Sequence, residues 1–201
     1  QLLSAVLTRQ KTYRLNGKAI VYDVKGEYLA KHYRPERGDL VFFPFDARSL
    51  RWSLFNEIFG PDGRMDMAML DVVTAVLCSP PGKKEAKNEY FHTAAGEVLR
   101  AMLMVLQARG TTRNHDITTL LGHGRSELSD LFREYLPESE QSAIEHISAP
   151  EQSAGVLGVL KNQLRFMRYL DGLDGEFSLR SFIETDDDRT LFLMNLPRLA
   201  E

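Results

Sequence analysis

Two stretches near the amino-terminal end decide the fold: Lys18-Ala-Ile-Val-Tyr-Asp-Val-Lys-Gly-Glu-Tyr28 and Gly38-Asp-Leu-Val-Phe-Phe-Pro-Phe-Asp-Ala-Arg-Ser-Leu-Arg-Trp52. Each holds a short apolar run, residues 19–22 and 40–43, and each run stops at an acid or a proline, Asp23 and Pro44. Short continuous apolar runs without alternation are the pattern of strands buried on both faces of a parallel sheet. Residues 24–37 are polar and include Gly26 and Pro35, so they read as a crossover with at most a short helix. In open parallel sheets ligands gather at the carboxyl ends of the strands, which is where Asp23, Lys25 and Asp46 fall.

The rest of the chain is organised around that start. Residues 2–14 place Leu2, Leu3, Val6 and Leu7 one helical turn apart and stop near Asn16-Gly17. The Gly60-Pro61-Asp62-Gly63 turn is the strongest break in the first half, and the pattern beyond it is helical. Met65, Met69, Val72, Val73, Val76 and Leu77 make a stripe that Ser79-Pro80-Pro81-Gly82 ends. A long helix is expected over residues 85–109, with Phe91, Ala94, Ala95, Val98, Leu99, Met102, Leu103 and Leu106 inside and Gly110 at its end. Shorter helices follow over 117–121, after a Ser126 cap, and over 138–147. A last long one starts at Pro150 and closes at Gly172. Ser178 then caps a short helix over 179–184, and residues 190–195 read as a buried strand. The fold class that emerges is mainly α with a small parallel β portion, a helical bundle inserted into a partial α/β sheet. An insertion of this kind needs its two ends close together.

Composition narrows the function classes. The chain has 201 residues, 43% hydrophobic and 26% charged, as in ordinary globular domains. A net charge of −3 gives no global attraction to nucleic acid, so any DNA contact must come from a local basic patch. The single cysteine excludes an internal disulfide and fits a reducing compartment. No apolar run is long enough to span a bilayer, and no signal peptide is recognisable.

The residues quoted first also carry a family likeness. Asp23-x-Lys-Gly-Glu27, then Gly38-Asp-x-x-x-x-Pro-x-Asp-x-Arg48, then Trp52-Ser-Leu-Phe-Asn-Glu-Ile58 resembles the type IV secretion coupling proteins, with Phe177-Ser-Leu-Arg-Ser-Phe-Ile183 and Thr190-Leu-Phe-Leu193 similar near the end. Those are membrane-anchored, RecA-like ATPases that bring DNA to the conjugation channel. The resemblance implies that residues 1–60 and 173–201 are part of a RecA-like nucleotide-binding domain and that residues 61–172 are its all-alpha insert. It implies a parent motor that is hexameric and uses ATP and magnesium, with no cofactor in this piece. The family's Gly-x-x-x-x-Gly-Lys-Ser/Thr phosphate loop and its acidic magnesium strand do not occur in the chain, so the piece alone is not expected to hydrolyse ATP. The expected partners are a relaxase or accessory cargo protein, DNA in single- or double-stranded form, and, through the parent, the secretion channel. The expected place is the cytoplasmic side of the inner membrane, and the piece by itself is expected to be a monomer. A chromosome-translocase-type DNA pump and a stand-alone helical interaction module stay open as alternatives.

Candidate site residues fall into two groups. Asp23, Lys25, Glu27, Asp46 and Arg48 lie beside the nucleotide in the resemblance, and Arg48 could act as a subunit-interface arginine. The plainer reading of these residues is strand-end capping and a local salt bridge. Lys83, Lys84 and Lys87, with Arg109, Arg113 and Arg125 towards the far end of the same helix, are the candidate DNA contacts. Their plainer reading is a solvated surface, diluted by Glu85 and Glu89. Glu89-x-x-His92 has a metal-motif spacing but lacks the second copy that such sites need.

Overall fold

The computed structural model describes residues 17–80, 86–185 and 188–194. The expected helix over residues 2–14 lies outside them. The described residues form two compact units, one built from the chain up to Trp52 and from Gly175 onward, the other from Ser53 to Asp174.

The first unit is a three-stranded parallel sheet. Its strands β1 (Ala19–Asp23), β2 (Leu40–Phe42) and β3 (Thr190–Met194) lie in the order β1-β3-β2. Val21 and Val41 both register with Phe192, so the last strand fills the gap between the first two. Between β1 and β2 the chain forms helix α1 (Glu27–His32) and a short 3-10 turn at Pro35–Arg37. Leu29 of α1 closes a small core with Val21, Val41 and Phe192, flanked by Tyr28 and Tyr33. Asp39, only 4% exposed, ties the strand starts together: it accepts from Arg34 N (2.9 Å) and from Thr190 N (3.1 Å). A buried carboxylate needs such donors to offset its lost hydration.

The chain leaves this unit and returns to it through one tight crossing. Trp52 and Phe177 form a parallel bridge. A Cβ on Gly175 would stand 2.7 Å from the Arg51 carbonyl oxygen, so only glycine fits there. Helix α9 (Leu179–Glu184) follows, capped by Ser178, whose hydroxyl accepts from Ser181 N.

β1 departs from the expectation of strands buried on both faces. Ile20 is 42% and Tyr22 61% exposed, while Val21 and Asp23 are buried. The register puts Ile20 beside Leu191, which is fully buried in the middle strand. The cover that encloses β3 on both sides therefore does not extend over the outer side of β1, an edge strand among those described.

The second unit is helical: α2 (Phe55–Ile58), α3 (Met67–Leu77), α4 (Ala86–Ala108), α5 (Asn114–Leu121), α6 (Arg125–Tyr135), α7 (Ala143–Ser148) and α8 (Pro150–Gln163). The long helix α4 is its axis and packs against α3, α5, α6, α7 and α8. Val98, Leu99, Met102 and Leu103 are fully buried, as its stripe predicts. α8 reaches α4 at Gly155, where a Cβ would meet the Phe91 ring at 2.5 Å. The sequence reading drew the border after residue 60, but Phe55 and Ile58 are buried and Leu54 N donates to Asn114 Oδ1 (3.1 Å). α2 therefore belongs with the helices.

Local details also differ from the sequence reading. The cap of α6 is Gly124, whose N–H donates to Glu127 Oε2 (2.8 Å), and Ser126 lies inside the first turn. The helix expected over 138–147 is a 3-10 turn at Glu138–Glu140 followed by α7, and α8 gives way to a 3-10 turn at Arg165–Tyr169 before Gly172. The expected inward stripe of α3 is rotated: Leu70, Thr74 and Cys78 are buried, whereas Val72 and Val76 are exposed. Thr74 and Cys78 face Gly96 of α4, where even a Cβ would make only ordinary contact. Thr74 tolerates burial because its hydroxyl donates to the Leu70 carbonyl (2.9 Å).

Two substitutions test this architecture by urea unfolding. Phe192→Ala, in the middle strand, is expected to cost about 3–5 kcal/mol, as truncated core aromatics do, whereas Ile20→Ala on the open side should cost under ~1 kcal/mol. Gly175→Ala should destabilise by about 1–3 kcal/mol because the new methyl meets backbone that cannot move aside.

Candidate functional site

In the sheet unit, the residues singled out by sequence sit at the carboxyl ends of β1 and β2. Asp23, 2% exposed, turns its carboxylate onto the start of α1 and accepts from Leu29 N at 2.8 Å. It thereby caps a helix whose own cap position, Gly26, has no side chain to offer. Gly26 has φ 73°, and a Cβ there would stand 3.2 Å from the Met194 methyl, so the turn presses against the end of β3. Lys25 and Glu27 on this turn are exposed.

Asp46 and Arg48 form one rigid device after β2. Asp46 Oδ1 accepts from Arg48 N (2.8 Å) and Nε (2.9 Å), and Oδ2 accepts from Nη2 (2.6 Å). The Arg48 side-chain and backbone donors hold the Asp46 carboxyl down at about 2. The same pairing raises the Arg48 guanidinium above its ordinary value. That guanidinium lies 5.0 Å from the centre of the Tyr33 ring, and Tyr33 meets Phe192 edge-on at 6.3 Å. The loop after β2 is thus fixed to the sheet core through one arginine. With the ion pair made, Arg48 keeps further N–H donors for a ligand or a neighbour.

In the helical unit, the basic candidates divide. Lys83 and Lys84 lie outside the described residues, and Lys87 falls in the first turn of α4. Arg109 follows the last turn of α4, so the two sets stand roughly 33 Å apart along the axis. Arg109 packs over the Tyr135 ring at 5.9 Å. Arg113 caps α5, its N–H donating to Asp116 Oδ2 (3.0 Å) with the guanidinium 3.5 Å from the same carboxylate. Arg125 opens α6 and donates to the Ser148 carbonyl (2.6 Å). A small cavity of about 120 Å3 beside Arg109 is lined by Thr111, Asp116, Thr119 and His123.

Sequence reading missed a larger cavity of about 350 Å3 between α3 and α4. Ala75, Cys78, Pro80 and Gly96 line it, together with Asp71, Glu89, Glu97 and Arg100. Arg100 ties Asp71 (2.7 Å from Nε) and Glu140 together. Glu97 accepts from His146 Nε2 (2.8 Å), and His146 Nδ1 meets the Tyr90 hydroxyl (3.0 Å). A charged residue inside the apolar run over 98–106 was the available signal, because such a residue must find partners. His92 Nδ1 donates to the Cys78 carbonyl (2.7 Å). Burial pushes the Cys78 thiol up to about 12, so it stays protonated and inert. Among the described residues no group of three or more metal-ligating side chains is gathered, and no helix is long and apolar enough to cross a membrane.

Comparison with known proteins gives a consistent picture. A family model described as the type IV secretion-system coupling protein DNA-binding domain matches residues 1–198. The chain is similar to the structure of the bacterial conjugative coupling protein TrwBdeltaN70 in its unbound monoclinic form. There the TM-score is 0.75 at 24% identity, covering 96% of this chain and 42% of that one. It is similar to the plasmid coupling protein TrwB in complex with ADP and Mg2+, with a TM-score of 0.70 at 26% identity over 95% of this chain and 43% of that one. The TrwB complex with the non-hydrolysable ATP analogue ADPNP gives 0.74 at 23%, over 96% and 43%. The chain therefore spans less than half the length of these structures. No curated protein sequence matches it.

The Asp46–Arg48 device has a pH signature. Its carboxyl titrates below the ordinary value of 3.8, so it adds stability above that pH and loses it as pH falls towards 2. Asp46→Asn should therefore cost about 0.5–1 kcal/mol at pH 7, the scale of a well-made exposed pair. The gap to the unsubstituted chain should close between pH 4 and 2, measured by urea midpoints across that range.

Proposed function

The chain belongs to the type IV secretion-system coupling protein DNA-binding domain family, and on that premise we propose that it recognises DNA, or a DNA–relaxase complex, for conjugative transfer. The observation that carries this reading is the family match across residues 1–198, together with a fold in which a helical unit interrupts a small parallel sheet. Recognition by the helical unit would run through Arg109, Arg113 and Arg125, with Lys83, Lys84 and Lys87 as a separate contact. Each guanidinium is fixed by one neighbour and keeps free N–H donors for phosphate oxygens. Contacts of this type neutralise phosphates and are blind to sequence.

The sheet unit has a different part in this reading. Asp23, Lys25, Glu27, Asp46 and Arg48 would stand beside the nucleotide of a larger, hexameric, membrane-anchored parent, in which ATP and magnesium supply the drive. The support is the relation to TrwB, whose structure is known with ADP and Mg2+. Asp23 and Asp46 already spend their charge on Leu29 N–H and on Arg48, so their contribution is to hold the two loops in place.

Fluorescence anisotropy with a labelled single-stranded oligonucleotide tests direct DNA recognition. Three phosphate contacts on a single strand predict roughly a 20-fold loss of affinity between 50 and 200 mM salt. The triple variant Arg109→Gln, Arg113→Gln, Arg125→Gln should flatten that dependence. Binding that is absent, or indifferent to salt, would remove DNA contact from this chain and leave recognition to a protein partner.

A further inference from the structure

The α3–α4 face of the helical unit has an unusual surface. Helix α3 carries a single charged residue, Asp71, yet Val72 (53% exposed) and Val76 (67% exposed) stand one turn apart in the open. A helix apolar on all sides is ordinarily covered on all sides. Beside this ridge runs the cavity of about 350 Å3, with an apolar floor at Ala75 and Cys78 and the carboxylates Asp71, Glu89 and Glu97 around it. Arg100 is the only lysine or arginine among its described lining residues, and it is already tied to Asp71 and Glu140.

We propose that this face docks a basic amphipathic segment of a protein partner, aliphatic side chains on the Val72–Val76 ridge and a lysine or arginine in the acidic cavity. Charge complementarity selects the occupant. The described lining sets three carboxylates against the one Arg100 guanidinium, a net negative charge that favours a cationic side chain over a phosphate group inside the cavity. The long stem and charged head of lysine or arginine fit an apolar floor with an acidic rim. A helix presenting apolar residues at i, i+3, i+4 and i+7 matches a ridge-and-groove surface of this kind. The proposal shares with the recognition reading only the idea that cargo arrives with a protein attached, and it is independent of the arginines assigned to DNA.

The test is an anisotropy titration of the 201-residue chain with a synthetic fluorescent helical peptide, leucines at i, i+3, i+4 and i+7 and arginines between them. A copy with glutamate for every arginine is the control. The expected result is saturable binding, at least tenfold weaker for the glutamate copy and at least tenfold weaker in Val76→Arg. Val76 is exposed, and an unchanged circular dichroism spectrum verifies that the variant folds. Amide chemical shifts should move along α3 and α4. No binding, equal binding of both peptides, an unaffected Val76→Arg variant, or shifts confined elsewhere would each overturn the proposal. The DNA titration can fail while this one succeeds, and the reverse, so the two readings fall separately.

Discussion

The middle place in the sheet belongs to the last of the described strands. β1 and β2 pair with β3 and not with each other, so neither has a ladder until residues 190–194 arrive. Apart from the local bridge of Val41 to Ser49, their pairing among the described residues depends on a segment well over a hundred residues away, and closing so long a loop is entropically costly. The structure concentrates compensation at that point. Phe192 is the centre of the small core, and Asp39 hydrogen-bonds the start of β3 to the approach of β2. The Trp52–Phe177 bridge and the close approach of Gly175 to Arg51 bring the exit and return of the chain together. With those ends pinned side by side, the helical unit can fold around its own axis, α4, without straining the sheet.

The same economy governs the acids of the strand-end motifs. Asp23, Asp39 and Asp46 each accept hydrogen bonds from backbone N–H groups nearby. For Asp23 and Asp39 burial makes such partners obligatory. Residues that read as chemistry in the sequence are thus first of all fasteners of loops. Lys25, Glu27 and Arg48 remain at the surface. In the helical unit Arg109, Arg113 and Arg125 follow the end of α4 and open α5 and α6, whereas Asp71, Glu89 and Glu97 line the cavity between α3 and α4 together with Arg100.

Much of this was legible in the chain itself. The apolar runs at 19–22 and 40–43 and the return at 190–194 fix strands, because short β-branched runs bounded by acids and glycines have few other uses. The stripe of α4 was plain, being long enough for periodicity to average out exceptions. Shorter elements were harder. The rotation of α3 is set by its packing against α4, and a one-helix pattern of valines cannot reveal it. The openness of Ile20 and Tyr22 depends on what lies over an edge strand, which the strand's own composition does not encode. Arg100 was visible as an oddity, but its partners Asp71 and Glu140 come from distant segments. The basic positions were legible as charges only, and their neighbours Tyr135, Asp116 and Ser148 emerge from the packing.

Backbone-amide hydrogen exchange in the intact chain, followed by NMR, bears most directly on the interrupted sheet. If residues 190–194 are the shared middle strand, the amides of Leu191, Phe192 and Leu193 should exchange as slowly as those of Val21 and Phe42, and all should be released together in mild denaturant. Free exchange at Leu191, Phe192 and Leu193 while Val21 and Phe42 stay protected would contradict the account.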